Sequence, residues 1–99
     1  MTRKEHCEEC LEKLGKEWDC VHRWLDHFAK YYFPFRAHRQ LRHHTEGVEE
    51  VRKMWGDQAA EAAKLHIMAD EGYIPTPESI KKAYGPLPTK EEVRKLRGY

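Results

Sequence analysis

Residues 57–70, Asp57-Gln58-Ala59-Ala60-Glu61-Ala62-Ala63-Lys64-Leu65-His66-Ile67-Met68-Ala69-Asp70, decide the architecture. Ala59, Ala62, Ala63, His66 and Asp70 recur at spacings of three and four, which puts them on one face of a helix. Small side chains let neighbouring helices approach closely, and Asp57 is placed to cap the start. The stripe ends in two polar residues, so this helix carries chemistry as well as packing.

Working outward, glycine and proline at Gly15, Pro34, Gly56, Gly72 to Pro77, Gly85 to Pro88 and Gly98 divide the chain into segments of helical periodicity. A first helix is predicted over about 3–14, with Cys7, Cys10, Leu11 and Leu14 inward and Gly15 as its C-terminal cap. A second, about 17–30, aligns Trp18, Val21, Leu25 and Phe28. After the aromatic turn Tyr31-Tyr32-Phe33-Pro34 the longest segment runs to Gly56, with Ala37, Leu41, His44, Val48, Val51 and Trp55 along one stripe. Thr76-Pro77 opens a short helix, and Thr89-x-x-Glu92 forms the capping box of a last one. The expected fold is all-α: a compact single-domain helical bundle of about five to six helices over 1–99. Its core is 1–85, and 86–99 is a loosely packed C-terminal helix.

Ninety-nine residues make one domain with a modest core. Charged residues are 35%, the mean hydropathy is −0.95, and no apolar run approaches the roughly 20 residues of a membrane span. The charged start, Met1 to His6, lacks the apolar centre of a secretion signal, which points to a cytoplasmic protein with reduced thiols. Eighteen basic and seventeen acidic residues give a net charge of +1 without long blocks of either sign, which argues against nucleic-acid binding. A small core rich in aromatics suits a homodimer.

Seven histidines in so short a chain are the outlier. His22-x-x-x-Asp26 and His66-x-x-x-Asp70 each present an imidazole and a carboxylate to one point, and His38 and the pair His43-His44 lie on a third helix. Imidazole with carboxylate suits Zn, Mn, Fe, Co or Ni. The expected ligands of a divalent metal ion are His22, His38, His44, His66 and Asp70, with His6 and Asp26 next. His27 and His43 fall outside the apolar stripes and are expected in solvent or behind the ligands. The competing reading of each inward histidine is a hydrogen-bonded core residue.

Cys7-x-x-Cys10 with Cys20-x-His22 offers a second pattern, three thiolates and one imidazole as in a structural zinc site, and it competes for His22. Against it, the first pair sits in a helix without flanking glycine or proline, and three cysteines also serve as small buried hydrophobes. Arg36, Arg39 and Arg42 recur every three residues. Arg39 and Arg42 are the candidates for holding a small anionic ligand or nucleotide, the alternative being a solvated basic face paired with Glu46, Glu49 and Glu50.

The segments Lys13-Leu14-Gly15, Val21 to Asp26, Phe35 to Gly47, and His66 followed by Asp70 to Thr76 resemble a family of small histidine-rich bacterial and phage proteins known as a domain of unknown function. The resemblance spans most of residues 6–84. It implies a histidine-rich site that includes His6, leaves the cysteines out, and supplies no substrate. Ala63-Lys64-Leu65-His66 is fainter in its similarity to the metal-dependent HD-domain phosphohydrolases, with Ile67 where that family has an aspartate. The function expected is a small metal-binding helical protein that hydrolyses phosphate esters or nucleotides through metal-activated water. The alternatives are a non-catalytic interaction protein of phage or mobile-element type and a binder that sequesters a nucleotide.

Overall fold

The computed structural model describes residues 1–33 and 35–98, and among them the only regular elements are helices. The expected break at Pro34 lies outside the described residues. Helix α1 spans Arg3–Leu14, α2 Asp19–Leu25, α3 Ala29–Tyr32, α4 Arg39–Arg42, α5 Thr45–Trp55, α6 Asp57–Glu71, α7 Pro77–Tyr84 and α8 Lys90–Leu96. Among the described residues no helix is long and apolar enough to cross a membrane.

The alanine-rich helix α6 is the centre of the fold. Ala59, Ala60, Ala62 and Ala63 are fully buried, and α5, α1 and α2 all pack against it. Val48 and Val51 of α5 join the same core, as do Cys10 of α1 and Val21 and Leu25 of α2. With methyl groups in place of larger side chains on α6, three helices surround it within reach of His66, one turn further on. Asp57 caps nothing: it is the first helical residue, pairs with Arg52 at 2.8 Å, and leaves the cap position to Gly56.

Helix ends follow local chemistry. Thr2 with Glu5, Thr76 with Ser79 and Thr89 with Glu92 each make reciprocal cap bonds. Gly15 ends α1 at φ 76°, left-handed as a C-terminal cap requires. On α1 the buried face is His6, Cys7 and Cys10, whereas Leu11, expected inward, is half exposed. Trp55 is likewise on the surface. Val93 of α8 is buried, and Arg97 donates to the carbonyls of Phe33 and Lys30, which ties the C-terminal helix to the end of α3.

Two of the expected helices are each broken, so the segments outnumber the five or six predicted. The first break separates α2 from α3 through Asp26, His27 and Phe28. The second, at His43-His44, separates α4 from α5. His44 is fully extended (φ −155°, ψ 176°), and Thr45 donates to the carbonyl of Pro75 at 2.9 Å. Gly47 makes this corner feasible, because a Cβ there would lie 1.9 Å from the carbonyl oxygen of Arg42. Trp18 takes the left-handed conformation (φ 55°) ahead of α2, a backbone cost of about 1–3 kcal/mol for a residue other than glycine.

Candidate metal centre

The helix breaks and the packing on α6 bring six of the seven histidines inward. Asp26 follows the last turn of α2, His43 occupies the corner after α4, and His66 and Asp70 lie one turn apart on α6. His43 Nε2 is 3.2 Å from Asp26 Oδ1 and 3.4 Å from Asp70 Oδ2. His66 Nε2 is 3.3 Å from each of the same two oxygens. Nitrogen and oxygen therefore alternate around a ring, with all four atoms within 4.8 Å of one another. Among the described residues this is the one such convergence of His, Cys, Asp or Glu donors.

Hydrogen bonding inside the ring is incomplete. His66 Nε2 bonds Asp26, but His43 Nε2, close to two carboxylate oxygens, bonds neither. His6 Nε2 lies 3.3 Å from Asp70 Oδ1, and both atoms are buried and without a hydrogen-bond partner. Orphaned buried polar atoms cost on the order of 1–3 kcal/mol each. Within the ring that cost falls on His43 Nε2, whereas Asp70 Oδ1, outside it, is also approached by the Met1 ammonium at 3.6 Å and by Arg39 at 3.8 Å.

Charge follows the same pattern. Burial alone would raise Asp26 and Asp70. The imidazoles around them outweigh it, His38, His43 and His66 at Asp26 and His43, His6 and His66 at Asp70, and both carboxyls are held far below the usual range. For His66, burial opposes the charge, yet Asp26 and Asp70 win and raise its pKa. His22 has no such support: burial first, then the neighbouring His66, pushes it down to about 4.

The remaining predicted residues are placed as follows. His6 stacks on His66 with ring centroids 3.7 Å apart, and His38 stands at the edge, its Nε2 3.8 Å from Asp26. His22 is behind the ring, with Nδ1 3.0 Å from His66 Nδ1 and Nε2 2.9 Å from the Glu17 carbonyl. His44 is elsewhere: its Nδ1 accepts from the Gly47 N–H as the cap of α5, and its Nε2 donates to the Leu41 carbonyl. With both nitrogens committed to backbone it has none for a metal. Its neighbour His43, expected outside, is fully buried in the ring. The exchange follows from the extended corner, which interrupts the helical count that placed His44 on the stripe. The histidine at the end of α4 and the glycine three residues after the cap were the available signals.

Of the two arginines expected to bind an anion, Arg42 lies 4.0 Å over the Trp24 ring and donates to the Trp24 carbonyl. Arg39 is held by Glu71 at 3.3 Å and Tyr84 at 3.2 Å, and approaches Asp70 at 3.8 Å. Arg36 remains exposed. It lines a cleft of about 340 Å³ whose walls include Asp26, His38, Asp70, Arg39 and Phe35. A larger surface hollow by α8, lined by Lys90, Glu91 and Arg94, adjoins none of the clustered histidines. The three cysteines do not gather a thiolate site: Cys7 and Cys10 are buried, Cys20 is exposed, and His22 faces His66. Cys10 is an inert thiol, raised to about 11 chiefly by burial.

These features define a small all-α protein with a histidine and aspartate cluster in its interior. The chain belongs to the family described as a domain of unknown function (DUF6915), whose model matches residues 1–87. Comparisons with curated proteins and with solved structures gave no match.

Proposed function

We propose that Asp26, His43, His66 and Asp70 hold one divalent metal ion, and that the ion activates water to hydrolyse a phosphate ester or nucleotide. The observation that carries this reading is His43 Nε2, buried, 3.2 and 3.4 Å from two carboxylate oxygens, and bonded to neither. Imidazole nitrogen with carboxylate oxygen suits Zn, Mn, Fe, Co or Ni. The faint similarity to HD-domain phosphohydrolases points to the same class of reaction, with Asp70, one turn on, standing in for the aspartate that buried Ile67 replaces. The cleft favours catalysis over a closed structural site, since it leads from solvent to Asp26 and Asp70 past Arg36, a cation available to an anionic substrate.

Elemental analysis of purified protein tests the metal directly. About one ion per chain is expected, lost in a His43→Ala, His66→Ala double variant, and an undiminished metal content in that variant defeats the assignment. Release of phosphate from aryl phosphates and nucleotides, abolished by chelator and restored by metal, tests the reaction. A metal-free ion-pair network in a non-catalytic interaction protein is the second reading, favoured by the His66 to Asp26 hydrogen bond of 3.3 Å. Under that reading, chelator leaves the melting temperature unchanged.

A further inference from the structure

His22, which touches neither carboxylate of the ring, is joined to it through His66. Its Nε2 lies 2.9 Å from the Glu17 carbonyl oxygen, and a carbonyl only accepts, so that nitrogen carries a hydrogen. The two Nδ1 atoms, 3.0 Å apart, then share one hydrogen between them. Placing it on His22 would make that ring a fully buried cation, while Asp26 and Asp70 stand on the far side of His66. Placing it on His66 leaves His22 neutral and puts the charge on the ring whose Nε2 already faces both carboxylates.

We propose that His22, anchored by the Glu17 carbonyl, is a positioning residue that fixes His66 as the Nδ1–H tautomer, so that Nε2 is the nitrogen offered to the ion. The proposal rests on the metal reading given above and adds how one ligand is oriented. The hydrogen bond made by the distal nitrogen decides which imidazole nitrogen ligates, and its partner governs ring angle and ligand basicity. The backbone is shaped for this role. Trp18 turns left-handed directly after Glu17, and α2 starts from the Trp18 carbonyl, which leaves the Glu17 carbonyl for the imidazole.

Long-range ¹⁵N–¹H spectra of the wild-type protein read the tautomer without any substitution. In metal-free protein, where His66 Nε2 donates to the Asp26 carboxylate, His66 Nδ1 is expected to carry a hydrogen as well, donated to His22 Nδ1. In protein loaded with ¹¹³Cd, the coupling should run to His66 Nε2. A bare His66 Nδ1 in the metal-free protein, or cadmium coupled to Nδ1, overturns the proposal. Should His66 show the Nδ1–H form while no ion binds, the relay stands and the metal reading alone fails. Removing the partner in His22→Phe should weaken metal affinity about 10- to 100-fold, the range for an orienting partner of a ligand. His22→Gln, which can both accept from His66 and donate to Glu17, should recover most of that loss. Equal affinity in wild type and folded His22→Phe would count against the assignment.

Discussion

At the scale of single residues, adjacent histidines take opposite roles. His44 caps a helix and His43 enters the cluster, so their substitutions should separate cleanly. His44→Ala is expected to lower stability by about 1 kcal/mol, the usual loss for a cap, with metal content unchanged; denaturant unfolding and elemental analysis check the two halves. His43→Ala should do the reverse to metal content. Titration gives a second residue-scale prediction for the metal-free protein. His22 has a folded pKa lowered to about 4 against about 6.5 unfolded, so the unfolded chain takes up the proton first, and stability falls as pH drops through that window. His66 is raised, so its contribution is complete below about 6.5 and is lost as pH climbs through its folded value. Asp26 and Asp70 are depressed, and their contribution fades only below the ordinary carboxylate range. Melting curves of stripped protein should therefore show stability declining on both sides of near-neutral pH. A bound ion displaces the proton of His66, so the rise in melting temperature on adding metal should be larger at pH 8 than at pH 6.

At the scale of elements, the corner between α4 and α5 matters most. Gly47→Ala would drive a methyl group into the Arg42 carbonyl, 1.9 Å away, and backbone cannot yield as a side-chain tip can. A loss of about 3 kcal/mol, at the top of the range for overpacking, is expected in denaturant unfolding, with weaker metal binding because His43 hangs on the same corner. This corner also marks where the sequence stopped being informative. The caps at Gly15, Thr76 and Thr89 were legible because each is settled by side chains and backbone within three or four residues. The breaks after Leu25 and at His43-His44 were not. The bond from Thr45 to the Pro75 carbonyl reaches across the chain, the close approach of Gly47 to Arg42 spans the corner itself, and helical periodicity carries no trace of either. For that reason His66 and Asp70, on the regular face of α6, and Asp26, directly after the last turn of α2, could be named from the sequence, whereas the place of His43 in the ring could not. Arg42 misled similarly, since its seat on Trp24 depends on how α2 meets α4.

At the scale of the whole molecule, a protein with a modest core has placed several buried polar groups at its centre. Around α6 the methyl groups of four alanines supply close packing, and the ring beyond them supplies either a ligand set or a costly set of half-made bonds. Binding of an ion to the folded state alone should therefore raise stability markedly. At a free metal concentration a hundred times the dissociation constant the gain is about 2.7 kcal/mol, which for a domain of this size corresponds to roughly 10–20 °C in melting temperature. Differential scanning calorimetry with and without chelator measures it.

The most direct measurement is anomalous diffraction from crystals grown with zinc. A single strong peak is predicted between Asp26 Oδ1, His43 Nε2, His66 Nε2 and Asp70 Oδ2. An absence of anomalous signal there, with His43 closed onto Asp26 or Asp70 by an ordinary hydrogen bond, or a peak at Cys7 and Cys10 instead, would contradict the account.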